Sequence, residues 1–370
     1  MSKVDAPAGK KFTCGHVELA FDDRAALVHL TAPTRREPQQ GAADHSRGMQ
    51  PQPQPQPQPP HPQPSQPPHP HPEARGEHAA ASWASAANPL GLYQYQTFTN
   101  EDYNVFLDDF AIRIAGGDCH YRRDSTDDKG CSGFRKPNVT AAAPIRRNLT
   151  PTLTTLWASP DTCSFVAEAT LPNDAHVLAG APSKVVIAVS VSGTSLSWDV
   201  VQVDKTPTRL PEASFFSFVP AVPDAKGWTF NVLGSVMDPT DVVAAAGVYG
   251  GSPHLRGIES ASYSGSATAS NRSSAAGAGA GAPAAEKNAA IAAAAGAATA
   301  SFTLSSLDVP IVSAGIASPF VTPRTEAPDM LGGVHYNIHQ NIWNTNYILW
   351  YPYDGVEKHV RSRFQLDLHA

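Results

Sequence analysis

Lys184-Val185-Val186-Ile187-Ala188-Val189-Ser190-Val191, followed after a short turn by Leu196-Ser197-Trp198-Asp199-Val200-Val201-Gln202-Val203, decides the fold class of this chain. β-Branched residues dominate the first segment and recur through the end of the second, and turn residues part them at the close spacing of an antiparallel sheet. Comparable segments recur at Leu153 to Trp157, Cys163 to Ala169, Phe215 to Phe218, Trp228 to Val232, Val248-Tyr249, Phe302 to Leu307 and Ile311-Val312. Upstream, Leu90 to Phe98 alternates in the same way. Lys11 to Phe21, the acidic pair Asp22-Asp23 and Ala25 to Leu30 read as a hairpin turning at the acids. Thr99 to Asp102 offers capping chemistry for one short amphipathic helix bearing Tyr103, Phe106, Leu107 and Phe110. Helix is otherwise scarce, and the chain reads as all-β, an antiparallel sandwich.

The chain has 370 residues, but two stretches cannot build a core. Residues 37–81 hold the run Pro51-Gln52-Pro53-Gln54-Pro55-Gln56-Pro57-Gln58-Pro59-Pro60 with His61, His69 and His71 nearby, and proline at this density makes a solvated, polyproline-type spacer. Residues 264–300 are rich in glycine, alanine and serine, with too little large apolar surface to offset the entropy of ordering. Both read as disordered insertions within one β-sandwich domain spanning residues 11–370.

The formal net charge is −6 and the basic residues do not cluster, which argues against nucleic acid and an anionic membrane as partners. No apolar run reaches the length of a membrane span. The first residues lack the apolar core of a secretory signal, so the expected compartment is the cytoplasm, unless the chain is an N-terminally incomplete fragment. The four cysteines, Cys14, Cys119, Cys131 and Cys163, have no metal-type spacing, and no metal or other cofactor is expected. Cys119 and Cys131 bracket a charged loop that a disulfide would close in an oxidising compartment and leave open in a reducing one.

No nucleophile elbow, zinc-protease helix, phosphate loop or dinucleotide fingerprint occurs. Among the carboxylates near strand ends (Asp199, Glu212, Asp238 and Asp308), Glu212 stands out, with Arg209 as a charge partner. An Arg–carboxylate fork at that point would either hold a sugar hydroxyl or lock the loop. The C-terminal segment Gly332-Gly333-Val334-His335-Tyr336-Asn337-Ile338-His339-Gln340-Asn341-Ile342-Trp343-Asn344-Thr345-Asn346-Tyr347-Ile348-Leu349-Trp350 sets amides beside aromatic rings. Ring faces stack on sugar C–H groups while amides bond hydroxyls. The competing reading gives the rings to the core and the amides to loop backbone. The sugar-contact candidates are therefore Arg209, Glu212, His335, Asn337, Asn341, Trp343, Asn346 and Trp350.

Four motifs occur in order: Pro89 to Phe98 with Asp102-Tyr103, Arg209-Leu210-Pro211-Glu212-Ala213, Leu307 to Val312, and Asn341 to Tyr347 with Arg363-Phe364. Together they resemble the C-terminal β region of an uncharacterised family related to glycoside hydrolase family 38, the α-mannosidase-type enzymes. The resemblance implies a β-supersandwich of galactose-mutarotase-like kind that packs on a hydrolase catalytic domain. The nucleophile and the zinc-binding His-x-Asp of such enzymes have no counterpart in this chain, so no catalytic residue and no metal ligand is carried over. The expected role is a non-catalytic module in carbohydrate metabolism that packs on that missing hydrolase domain or contacts a glycan. Two alternatives stand beside it. One is a mutarotase-type enzyme using Glu212 or Asp308 with His335; the other is an interaction scaffold unrelated to sugars, its Pro-rich insertion read by proline-binding domains.

Overall fold

A computed structural model describes residues 1–31, 82–99, 101–102, 145–208, 210–221, 227–240, 252–253, 255–266, 299–320, 323–324, 327–341 and 359–369. In chain order the strands begin with β1 (Ser2–Lys3), β2 (Lys11–Cys14), β3 (Val17–Phe21), β4 (Leu27–Thr31) and β5 (Leu90–Thr97). Next come β6 (Arg147–Leu149), β7 (Thr152–Ser159), β8 (Ser164–Thr170), helix α1 (Asn173–Ala179), β9 (Lys184–Ser192) and β10 (Ser195–Val203). β11 (Glu212–Phe218), β12 (Trp228–Val232), β13 (Ser235–Met237), β14 (Ser252–Pro253), β15 (Leu255–Gly257) and β16 (Ser260–Ser266) follow. The last are β17 (Thr299–Ser306), β18 (Ile311–Ala314), β19 (Pro323–Arg324), β20 (Val334–Asn341) and β21 (Val360–His369).

Two large antiparallel sheets result. The first has ten strands in the order β1-β7-β8-β9-β10-β21-β17-β16-β12-β13. The second has nine, β15-β18-β20-β11-β5-β4-β3-β2, with β6 paired to the far end of β5. The C-terminal strand β21 shows how a sandwich reads in sequence. Ser362, Phe364, Leu366 and Leu368 are buried, while Arg361, Arg363, Gln365 and His369 face out. The sheets meet through aromatic rings: Trp198 and Phe364 of the first lie 5.5 Å from Phe218 and 4.8 Å from Phe216 of the second. A second cluster joins Trp83, Trp228, Tyr263 and Phe302, with centroids as close as 4.9 Å. The fold is the expected all-β antiparallel sandwich.

Several local expectations shift. Lys11 to Phe21 is not one strand, because Gly15 at φ +60° turns the chain and makes a three-stranded meander with β4. Cys163 lies just outside β8, in the left-handed region that closes the turn Pro160–Thr162. Asp199 sits inside β10 and not at a strand end. Helix α1 has no counterpart in the sequence reading; its signal is Gly180, which ends it at φ +72°. The Thr99 cap is present: Thr99 Oγ1 accepts from Asp102 N at 3.1 Å, and Asp102 Oδ2 accepts from Thr99 N at 2.9 Å. The body of that helix, Val248-Tyr249, residues 37–81, most of 264–300, Cys119 and Cys131 lie outside the described residues.

Gly91 in β5 shows how closely the sheets approach. It sits at φ +73°, and a β-carbon there would lie 2.9 Å from Trp198 Nε1 and 3.0 Å from Phe216. Gly91→Ala is expected to destabilise the chain by about 1–3 kcal/mol through overpacking, read as a lower urea midpoint with unchanged m-value. An unchanged midpoint would show that the inter-sheet packing is looser than these contacts imply.

Candidate functional site

β5, β11 and β20 lie side by side in the nine-stranded sheet and carry polar groups on both faces. Strand alternation sorts them. Tyr93 and Tyr95 of β5 point inward with Ser214, Phe216 and Phe218 of β11, whereas Gln94, Gln96, Phe215 and Ser217 point outward.

The inward corner is built around Glu212, the first residue of β11, whose side chain is 1% exposed. Its Oε1 accepts from Lys205 Nζ at 2.7 Å and lies 3.6 Å from His339 Nε2 and 3.5 Å from Thr208 Oγ1. Its Oε2 accepts from the Tyr95 hydroxyl, for which the Ala179 carbonyl, 2.7 Å away, is the competing acceptor. Lys205 Nζ also donates to Thr206 O at 2.8 Å, and Asn341 Nδ2 donates to Thr208 O at 2.6 Å. Deeper in, the Tyr93 hydroxyl meets Ser214 Oγ at 3.1 Å and Gln202 Oε1 at 3.3 Å. The polar cluster thus ties the 205–208 loop and the end of α1 to the sheet.

Burial alone pushes the Glu212 carboxyl up, but the Lys205 charge and the His339 contact outweigh it and hold the group below its ordinary range. Burial, and then the negative charge of Glu212, pushes the Tyr95 hydroxyl up, so Tyr95 stays a neutral donor. An ionised carboxylate whose oxygens are engaged by a lysine, a phenol and an imidazole is a structural anchor. The charge partner is Lys205 where the sequence suggested Arg209, which lies outside the described residues.

The outward face is different. His335 Nδ1 lies 2.8 Å from Ser217 Oγ, which donates to Gln94 Oε1 at 2.9 Å. Ser217 gives its one proton to Gln94, so the imidazole hydrogen on Nδ1 completes the chain. Gln94 and His335 border a cleft of about 930 Å³, with Gln96, Arg146 and Asn148 also lining it, while Ser217 is buried between them. The rings of Phe98 and Phe320, with centroids 4.7 Å apart, form an apolar wall. Arg146 and Arg147 pair with Asp102 at 3.3 Å and Asp174 at 2.7 Å. A second depression, about 410 Å³, lies on the outer face of the ten-stranded sheet. Its charges are matched by the forks Arg361–Asp199 and Arg363–Asp308, and its serines Ser190 and Ser197 bond each other at 2.6 Å.

The candidate residues are therefore divided. His335 and Asn337 share the outward face of β20, and Glu212 and Asn341 belong to the inward corner. Trp343, Asn346 and Trp350 lie outside the described residues. Glu212 and His335 do not converge: they occupy opposite faces of one sheet, five residues apart along β11 or roughly 16 Å. Asp308 is held by Arg363 beyond the other sheet. The acid–base pairing of Glu212 or Asp308 with His335 is thus ruled out by the topology. Sequence reading missed Gln94 and Gln96, although the alternation Tyr93-Gln94-Tyr95-Gln96 carries the signal. It also missed Lys205, for which no local signal exists. Among the described residues no group of three or more His, Cys, Asp or Glu side chains could hold a metal ion, and no helix is long and apolar enough to cross a membrane.

Because the folded chain holds Glu212 below the ordinary carboxyl value of 4.5, its ionisation stabilises the fold above that pH, and the contribution fades as pH falls from there through the folded-state value. The stability difference between the parent and Glu212→Gln should therefore shrink on acidification below pH 4.5; a constant difference would contradict an ionised Glu212. Lys205→Met should cost about 3–5 kcal/mol by stranding a buried carboxylate, and adding Glu212→Gln should restore part of that in denaturant titrations.

No family model matches the chain, and no curated protein sequence matches it. Among solved structures it is similar to an alpha-mannosidase from Enterococcus faecalis V583, at 6% sequence identity and a TM-score of 0.41. The match covers 100% of this chain and 30% of the alpha-mannosidase chain, so this chain spans under a third of that protein's length.

Proposed function

We propose that this chain is a non-catalytic β-sandwich module of a glycoside-hydrolase-like protein of α-mannosidase type, and that it contacts a glycan through the outward cleft of the nine-stranded sheet. The observation that carries this reading is the placing of Gln94, Gln96 and His335, with Ser217 buried between Gln94 and His335, along a cleft of about 930 Å³ walled by Phe98 and Phe320. Sugar hydroxyls both donate and accept, and glutamine amides answer both needs. Aromatic walls take the C–H faces of the ring. The order of the four sequence motifs supports the hydrolase-family part of the reading. The engagement of Glu212 in an interior ion pair supports the non-catalytic part, since that carboxylate has no access to a substrate.

Affinity electrophoresis and calorimetry of the full chain against mannosides and other common sugars test the proposal. Weak but saturable binding is expected, and Gln94→Ala and His335→Ala should each weaken it about tenfold, the loss of one good hydrogen bond. Flat responses across all sugars, with the fold verified by circular dichroism, would overturn it.

A further inference from the structure

We infer that Cys14 and Cys163 are a disulfide-forming pair that links the two sheets covalently when the chain meets a small-molecule disulfide. Cys14 ends β2 in the nine-stranded sheet, and Cys163 stands immediately before β8 in the ten-stranded sheet. Both are free thiols; the Cys163 thiol donates to Pro160 O at 3.4 Å and lies close enough to Cys14 to act on its thiol. The flanking register explains the meeting. Phe12 lies two residues before Cys14 and Phe165 two after Cys163, and these rings touch with centroids 4.9 Å apart. Strand alternation then turns Cys14 to the same side as Phe12, toward the partner sheet.

The backbone on both sides is held. Cys14 pairs with Val17 across the Gly15 turn, and Cys163 O accepts from Val191 N at 3.0 Å while Cys163 N donates to Pro160 O at 3.2 Å. Access separates the two roles. Cys14 is 4% exposed, and burial, with the neighbouring Cys163 adding to it, pushes its thiol up to about 12. Cys163 is half-buried at a surface turn, so it is the thiol that an external reagent reaches. Cys163 attacks one sulfur of a disulfide RSSR, giving a Cys163–S–S–R mixed disulfide and releasing RSH. Cys14, deprotonated as it attacks, then displaces the second RSH from the Cys163 sulfur. The two thiol protons and two electrons end on the two RSH molecules. The bond closes a loop of about 150 residues, a length at which cross-linking constrains the unfolded chain strongly.

The full chain carrying Cys119→Ser and Cys131→Ser is equilibrated with excess glutathione disulfide, alkylated and mapped by mass spectrometry. The expected result is loss of both free thiols, a peptide joining Cys14 to Cys163, and a Tm raised by about 5–10 °C, reversed by dithiothreitol. Two alkylatable thiols in a folded chain, or a lasting glutathione adduct on Cys163 with Cys14 reduced, would overturn the inference. If the double variant fails to fold, mapping the unaltered chain decides the same question: a Cys14–Cys163 peptide upholds it, and pairing of either residue with Cys119 or Cys131 overturns it.

Discussion

Strand β11 is buried on both of its faces from Glu212 to Phe218, and the rest of the molecule is arranged to make that tolerable. Its inner side carries Phe216 and Phe218 into the rings of Trp198, Tyr336 and Phe364. Its outer side is covered in part by Phe98 and Phe320 against Ala213 and Phe215. A slip of one residue would exchange the two sets, turning Glu212 out of its corner and Ser217 into an apolar core. Register here is therefore specified from both sides. The irregularities between Ser214 and Phe215 against β20, and between Ser217 and Phe218 against β5, show where the strand adjusts to satisfy both neighbours.

The Glu212–Lys205 pair is a consequence of that burial. Two charges removed from water gain little net stability unless each finds further hydrogen bonds. Tyr95, Thr206 and Asn341 supply bonds to the pair or to the loop beside it, and the result holds the 205–208 loop across the open end of the sandwich. Gly180 shows the same closeness from the other direction: a β-carbon there would lie 2.4 Å from Thr206 O. On the outward face of β5, β11 and β20, Gln94 borders a cleft together with Gln96 and His335, which are themselves buried. One sheet thus separates a buried ion pair on its inner face from a hydrogen-bonded row of amide, hydroxyl and imidazole on its outer face. The partition assigns the carboxylate to structure and sets His335 and the glutamines on the opposite face, beside the cleft.

Much of this was legible in the residues themselves. Strands β9, β10 and β12 follow from alternation and β-branching, and the Thr99–Asp102 cap follows from its side-chain chemistry. The meander at Lys11 to Thr31 was half legible, since Gly15 is the break and apolar residues continue on both sides of it. The inward corner was not legible, because Lys205 and His339 reach Glu212 from different segments and no local pattern announces a buried lysine. Nor was the meeting of Cys14 with Cys163, which depends on how two hairpins from different sheets stack.

By itself, the sequence determined the strand-forming segments and the side of each strand that seeks the core, because those depend on near neighbours alone. Tertiary structure decided which carboxylate was anchored, that Glu212 and His335 face apart, and which amides share a cleft. The physical reason is that strand order and sheet stacking bring together residues far apart in the chain. Local periodicity states which way a side chain points, but not what it meets there.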